Sequence, residues 1–352
     1  MQRSLSIVAL AFLATQITVG QALFYPDANN DGLVNNDDVT FIRSFLGSNQ
    51  AATNWQVAKS ADVNRDGQVS SADVDLVTAR INQFPKSEFK RVVFLGIDGG
   101  GSFLQWANTP VLKQFLNSGA STLNAAALLP TISGQNWGSM ITGVTPNKHK
   151  LTNDIAASTP YSETSAYPTI FKLLLNERPA AKLAVYSVWK PIIDGMVERS
   201  LNVTKISQGD EDLTNGVVKY IKEKGADTRY LFIHYDAMDH VGHASGYNST
   251  AYIQEYPKVD ARVGRVLAAI EEAGLKDDTL VLMTADHGGT PGGSHGGSTA
   301  AEVNIFWGAS GKGVKVAKLA NGVRNMDIAA TVANALRLPQ PANWDSRFVP
   351  IY

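Results

Sequence analysis

From residue 91 onward two patterns alternate. Near-continuous apolar runs of strand length fall at 91–97, 182–188, 230–235, 280–284 and 303–307. Between them, helical spacing of apolar positions appears at 110–117, 169–177, 213–224, 256–273 and 327–336. Strands without polar interruption are buried on both faces, and helices between them supply the cover. The pattern therefore predicts an α/β domain with a mainly parallel central sheet flanked by helices. Polar residues gather where the runs stop: Asp98 after the first, Asp236 after the third, Asp286 and His287 after the fourth. Sites in open α/β sheets form beyond the carboxyl ends of the strands.

The stretch before residue 85 reads differently. Residues 27–38 are DANNDGLVNNDD and residues 62–73 are DVNRDGQVSSAD, a repeat at an offset of 35. Oxygen-bearing side chains occupy loop positions 1, 3 and 5: Asp27, Asn29 and Asp31, then Asp62, Asn64 and Asp66. Gly32 and Gly67 take position 6, Leu33 and Gln68 position 7, Asp38 and Asp73 position 12. This is the spacing of a calcium loop, in which hard oxygen ligands surround a tight turn. Asp at position 12 is shorter than the Glu of a standard EF-hand. Amphipathic runs follow each loop, with Val39, Ile42, Phe45 and Leu46, then Val74, Val77, Ile81 and Phe84. The duplicated loop-then-helix pattern over residues 25–84 resembles dockerin modules. That resemblance implies Ca2+ and a possible protein partner, the alternative being a calcium-stapled cap on the larger domain.

The extreme N-terminus adds a compartment. Arg3 precedes an apolar run at 5–13, and small residues follow at Gly20 and Ala22, so residues 1–22 read as a secretory signal peptide. The expected product is secreted or extracellular, with a boundary at 85–90 and a catalytic domain over 90–352. No later run is long enough to span a membrane. A formal net charge of -1 provides no nucleic-acid-binding patch. Asn202-Val-Thr204 and Asn248-Ser-Thr250 are formal glycosylation acceptors.

Composition narrows the chemistry. The chain has no cysteine, which excludes disulfides, thiolate metal sites and thiol nucleophiles. Its six histidines all lie between His149 and His295. Candidate ligands are Asp98 in GIDGG, Asp236 and His240 four apart in HYDAMDHVGH, Asp286 and His287 in TADHGG, and His295 in GGSHGG. Carboxylate and imidazole donors without sulfur suit catalytic transition metals. Six glycines within 288–297 mark a loop shaped around a site. A nucleophile is offered by LPTISGQNWGSMITG at 129–143, where Ser133 precedes a helix-compatible stretch; Thr131 and Ser139 compete with it on spacing.

The order of these segments resembles the alkaline phosphatase superfamily, and within it the type I phosphodiesterase/nucleotide pyrophosphatase branch, over residues 90–340. The branch pattern P-T-x-T-x-P-N followed by T-G corresponds to Pro130-Thr131-Ile132-Ser133-Gly134-Gln135-Asn136 and Thr142-Gly143. The resemblance implies a two-metal, most simply Zn2+, hydrolase of small phosphate esters working through a phosphoserine. Asp98, Ser133, Asp286 and His287 would hold one metal and Asp236, His240 and His295 the other. Ser133 would be the nucleophile and Asn136 would contact a phosphoryl oxygen. His243 is expected beside the ligands rather than among them, and His234 in the strand core. Lys148 and His149, after a turn at Pro146-Asn147, are within possible reach of substrate. Gly134 and Gln135 replace the branch's apolar residue and proline, which argues against a nucleotide-stacking slot. A phosphonate hydrolase or a sulfatase-like enzyme of the same superfamily is the rival reading, although no C/S-x-P-x-R segment is present. The remaining alternative is a catalytically inactive calcium-dependent binding protein.

Overall fold

The computed structural model describes residues 26–84 and 89–352. The expected signal peptide at 1–22 and part of the expected boundary, 85–88, lie outside the described residues.

Eight strands form one sheet: β1 (Arg91–Ile97), β2 (Ala120–Ala126), β3 (Lys182–Ser187), β4 (Val203–Ile206), β5 (Thr228–Tyr235), β6 (Thr279–Ala285), β7 (Asn304–Ser310) and β8 (Ala317–Lys318). Their order is β4-β3-β5-β1-β6-β7-β2-β8. Every pairing is parallel except β6–β7 and β7–β2, so β7 alone runs against the rest. The expected α/β class holds. β7 is the departure from a parallel reading, because a fully buried strand carries the same apolar signature in either direction.

All five expected strands are present. β2, β4 and β8 lay outside the apolar signal: β2 reads ASTLNAA with a register shift between Thr122 and Ala125, and β4 is only four residues long. Helices Pro110–Asn117, Asp210–Lys224, Ala237–Ser245 and Thr250–Glu272 pack together over the sheet. Helices Ser133–Thr142, Ile170–Glu177 and Asp327–Ala335 form a second packed set.

Register sets the height of the site. Ile97 at the end of β1 is level with Tyr235 on β5 and with Ala285 on β6. The next residues, Asp98, Asp236 and Asp286, therefore leave three adjacent strands together.

Residues 26–84 hold a separate apolar cluster that includes Val34, Val39, Ile42, Val63, Val69, Val74 and Val77. The two loops fold alike. Asn30 and Arg65 at position 4 have φ of 59° and 60°, and Gly32 and Gly67 at position 6 have 93° and 92°. That left-handed conformation is the reason for glycine at position 6. Asp38 accepts the Asn29 and Asn35 N–H groups at 3.2 and 2.8 Å, and Asp73 accepts those of Asn64 and Ser70 at 3.1 and 2.8 Å. Each position-12 acid thereby also caps the helix that follows, Asn36–Arg43 or Ser71–Gln83. Burial pushes the Asp38 carboxyl up to about 7.

Candidate metal centre

Ser133 begins the ten-residue helix Ser133–Thr142 and is buried. Its Oγ lies 3.2 Å from His287 Nε2. The competing hydroxyls are occupied elsewhere. Thr131 Oγ1 donates to Gly297 O at 2.8 Å and accepts from Gly296 N at 3.0 Å, and Ser139 Oγ meets His149 Nε2 at 2.9 Å.

Around His287 two groups of donors meet. Its Nε2 is 3.2 Å from Asp286 Oδ2 and 3.5 Å from Asp98 Oδ1 on one side, and 3.9 Å from Asp239 Oδ1 on the other. Asp239 in turn lies 3.7 Å from His295 Nε2 and 3.3 Å from His243 Nε2. The His287 and His295 rings stack at 3.7 Å. Asp98, Asp286 and His287 thus form one candidate cluster, and Asp239, His243 and His295 beside His287 form the second.

The histidine tautomers show what the site wants. His287 Nδ1 faces Gly288 O at 2.8 Å, His295 Nδ1 faces Thr131 O at 2.7 Å, and His243 Nδ1 faces Gly293 O at 2.8 Å. A carbonyl can only accept, so each Nδ1 carries hydrogen and each Nε2 turns a lone pair into the site. His295 Nε2 and His243 Nε2 are 3.1 Å apart, two acceptors face to face. Asp98 Oδ1 and Asp286 Oδ2 are buried without any hydrogen-bond partner. Burial, with the charge of Asp239, pushes the Asp286 carboxyl well up; burial, with the charges of Asp286 and Asp239, raises Asp98. Burial and the neighbouring His287 lower His295. Buried carboxylates crowded by one another's charge and an imidazole that resists a proton are both satisfied by divalent cations, so the donor set fits the metals expected from sequence.

The acids are held from behind. Asp98 Oδ2 accepts from Trp137 Nε1 and from His234 Nε2, both at 2.9 Å. Trp189 N–H reaches His234 Nδ1 at 3.5 Å, which leaves the hydrogen on Nε2 and makes His234 a donor to Asp98. Gly99 N donates to Asp286 Oδ1 at 2.9 Å, Tyr247 O–H donates to Asp239 Oδ1, and Tyr252 O–H fixes the Asp98 turn through Gly99 O at 2.6 Å.

Several expectations are corrected. The pair Asp236 and His240 does not join His295; Asp239 and His243 do. HYDAMDHVGH contains two Asp-x-x-x-His spacings, and the one inside the helix Ala237–Ser245 faces the site. Asp236 is half-buried and forms a further candidate group with Asp98 and His234, apart from His295, and His240 is exposed outside these groups. His243 moves accordingly from neighbour to candidate ligand. Asn136 does not face the site either. Its Nδ2 donates to the carbonyls of Leu128, Pro130 and Ile132 at 3.2, 3.1 and 3.0 Å, and its Oδ1 accepts from Leu128 N and Asn325 Nδ2 at 2.8 and 2.6 Å. It shapes the loop that delivers Ser133. His234 is a partner of Asp98 rather than core filling. Lys148 pairs with Asp345 at 2.6 Å, and His149 is buried against Ser139 and Leu151. Gly134 has a packing reason of its own, since a Cβ there would lie 2.5 Å from the backbone at Thr152 and Asn153.

Fold and clusters together describe an α/β domain that carries a candidate divalent-metal centre beyond the ends of its strands. Residues 92–304 match the type I phosphodiesterase / nucleotide pyrophosphatase family, to which the chain belongs, and residues 25–82 match the dockerin type I domain. GPI ethanolamine phosphate transferase 2 of Aspergillus fumigatus is 26% identical over 287 residues, covering 74% of this chain and 37% of that protein. The chain spans about a third of the length of such curated relatives. Murine ectonucleotide pyrophosphatase / phosphodiesterase 5 superposes with a TM-score of 0.61 at 14% identity, over 72% of this chain and 97% of that one. A phosphonate monoester hydrolase from Silicibacter pomeroyi superposes with a TM-score of 0.58 at 15% identity, over 74% and 75%. These structural likenesses concern the fold.

Proposed function

We propose that the chain is a secreted two-metal phosphodiesterase acting through a phosphoserine at Ser133. The observation that carries this reading is the buried Ser133 hydroxyl at a helix start, 3.2 Å from the imidazole that joins two cation-seeking clusters. Asp98, Asp286, His287 and Ser133 would hold one metal, and Asp239, His243 and His295 the other. Divalent cations bound there, zinc by donor type, supply Lewis acidity that lowers the Ser133 pKa and neutralises phosphate charge. Ser133 Oγ attacks phosphorus and one alcohol leaves with a proton; the other ester group stays on the seryl phosphate until water cleaves the Ser–O–P bond and releases a phosphate monoester. Tyr247, Trp137 and His234 hold the acids in place.

Diesters are favoured over monoesters by charge. Among the described residues the ion pairs of Asp98, Asp239 and Asp286 are with histidines, and no lysine or arginine joins them. A diester brings one negative charge and a monoester two. The curated relatives are named as phosphate transferases, so an alcohol acceptor in place of water is the second reading. Calcium is proposed for the loops at 27–38 and 62–73.

The test compares zinc-reconstituted protein on bis-p-nitrophenyl phosphate, p-nitrophenyl phosphate, a nucleotide diester and an aryl sulfate, with and without glycerol as acceptor. The diester should be fastest; a dominant sulfate rate would overturn the class. Ser133→Ala should retain most bound metal and lose nearly all turnover. Undiminished turnover in that variant would remove the nucleophile.

A further inference from the structure

The two calcium-type loops are built alike but finished differently. In the second loop the carbonyls at positions 6 and 8 are taken by the module's own backbone. Gly67 O accepts from Gln50 N at 3.2 Å, and Val69 O from Gly47 N at 2.9 Å. In the first loop the same two positions are Gly32 and Val34, and their carbonyls are taken by the catalytic domain. Arg178 Nη1 reaches Gly32 O at 3.5 Å and Arg337 Nη1 donates to Val34 O. Side chains of the larger domain do for the first loop what residues 47–50 do for the second.

The arginines are seated for this task. Arg178 and Arg337 are 2% and 7% exposed. Arg178 Nη2 also donates to Leu336 O at 2.9 Å. From the module, Arg80 Nη1 reaches back to Arg337 O at 2.8 Å and to Glu177 Oε2 at 3.1 Å. Arg229 lies so close to Gly32 that a Cβ there would be 2.4 Å from its guanidinium. Between the clamped peptide groups sits Leu33, whose position in such a loop supplies a carbonyl to the ion. Asp27 at position 1 is 2% exposed, and its Oδ1 is buried without a hydrogen-bond partner. A ligand oxygen is therefore already withdrawn from water and unspent, which fits a cation.

We propose that the first loop is a joint calcium site of the two domains: Arg178 and Arg337 hold it in its cation-binding shape, so that calcium and interdomain docking strengthen each other. The second loop, closed within the module, binds independently. A loop ordered beforehand binds more tightly, and by reciprocity the bound ion must then tighten the docking. The module is in this respect a cap fixed on the hydrolase. The inference rests on the calcium reading of the loops and not on the phosphodiesterase reading.

The test is calcium calorimetry on residues 23–352 with zinc already loaded. Wild type should bind two ions. Asp62→Asn should lose one and keep the other at unchanged affinity. Adding Arg337→Ala in that background should weaken the remaining site at least tenfold, with partial recovery in Arg337→Lys. In an Asp27→Asn background, Arg337→Ala should leave the remaining site unaltered. The reciprocal measurement touches no arginine. Calcium should protect the junction between module and catalytic domain from limited proteolysis in wild type and Asp62→Asn, and fail to do so in Asp27→Asn. First-loop affinity that is unchanged or tighter in Arg337→Ala overturns the coupling, as does equal protection in Asp27→Asn. A wild type that binds no calcium overturns the loop reading itself.

Discussion

Replacing Trp137 by Phe keeps an aromatic ring in the core and removes one hydrogen bond from Asp98. Trp137 is fully buried, with its ring 4.9 Å from that of His234 and 6.0 Å from that of Phe232. Gly96, next to last in β1, leaves room for it, since a Cβ there would lie 2.3 Å from the indole. Its Nε1 donates to Asp98 Oδ2 at 2.9 Å. A hydrogen bond to a charged group contributes about 1.5–3 kcal/mol. Loss of the fused ring atoms in a tight core adds about 1–2 kcal/mol. The expected destabilisation of zinc-loaded Trp137→Phe is therefore about 2.5–5 kcal/mol.

The diagnostic quantity is zinc affinity. The indole N–H favours the ionised form of Asp98 and leaves Oδ1 free for a cation. Its loss raises the already elevated carboxyl further, and zinc must then displace a more tightly held proton. Groups that orient metal ligands typically change affinity by about 10–100-fold. Urea unfolding measures the stability, and chelator-competition titration at neutral pH measures the zinc. Trp137→Phe that loses stability while binding zinc within twofold of wild type would refute the role given to this hydrogen bond and leave Trp137 a packing residue.

Other outcomes separate the structure from its sequence-based rivals. His243→Ala should lose about one zinc equivalent and most turnover, whereas His240→Ala should retain both, as metal analysis and rate will show. Asn136→Ala should cost roughly 2–4 kcal/mol, because buried loop carbonyls and the Leu128 N–H lose partners; a turnover loss with unchanged Tm would restore it to the phosphate. Burial holds the His149 imidazole at about 4. Below pH 6.5 the unfolded chain gains a proton that the folded chain refuses, so stability falls as pH drops from 6.5 toward 4, by up to about 3 kcal/mol. His149→Phe should flatten the stability-against-pH slope by one proton in that window, and an unaltered slope would dismiss the assignment.

What was legible in the sequence was what depends on local pattern. Buried strands announce themselves as apolar runs, and the acids following β1 and β6, Asp98 and Asp286, were found because strand ends set the site of an open sheet. The loops at 27–38 and 62–73 repeat their own chemistry at a fixed offset. β2, with its small residues and bulge, and the two-residue β8 carry no such signal. The role of Asn136 was also out of reach: its amide is consumed by Leu128, Pro130, Ile132 and Asn325, and nothing in the spacing shows which way an amide turns.

The misassigned pair shows where spacing stops deciding. Positions 236 and 239 differ by three residues, about 300° of helical rotation, so the two Asp-x-x-x-His pairs would be only about 60° apart around one cylinder. Hydropathy cannot resolve so small an angle when both pairs are polar. The neighbours resolve it. A Cβ on Gly99, which has φ of +63°, would lie 2.8 Å from Asp239 Cα, so the turn after β1 closes directly on that residue. Gly293 O takes His243 Nδ1 at 2.8 Å, and Tyr247 donates to Asp239. Two glycine-bearing loops, GIDGG and the one around Gly293, approach the helix on the 239/243 side. The glycines of 288–297 marked in the sequence a loop shaped around a site, but spacing alone did not show which turn of the helix they approach. That choice belongs to the tertiary fold, and the alanine comparison at His240 and His243 measures it directly.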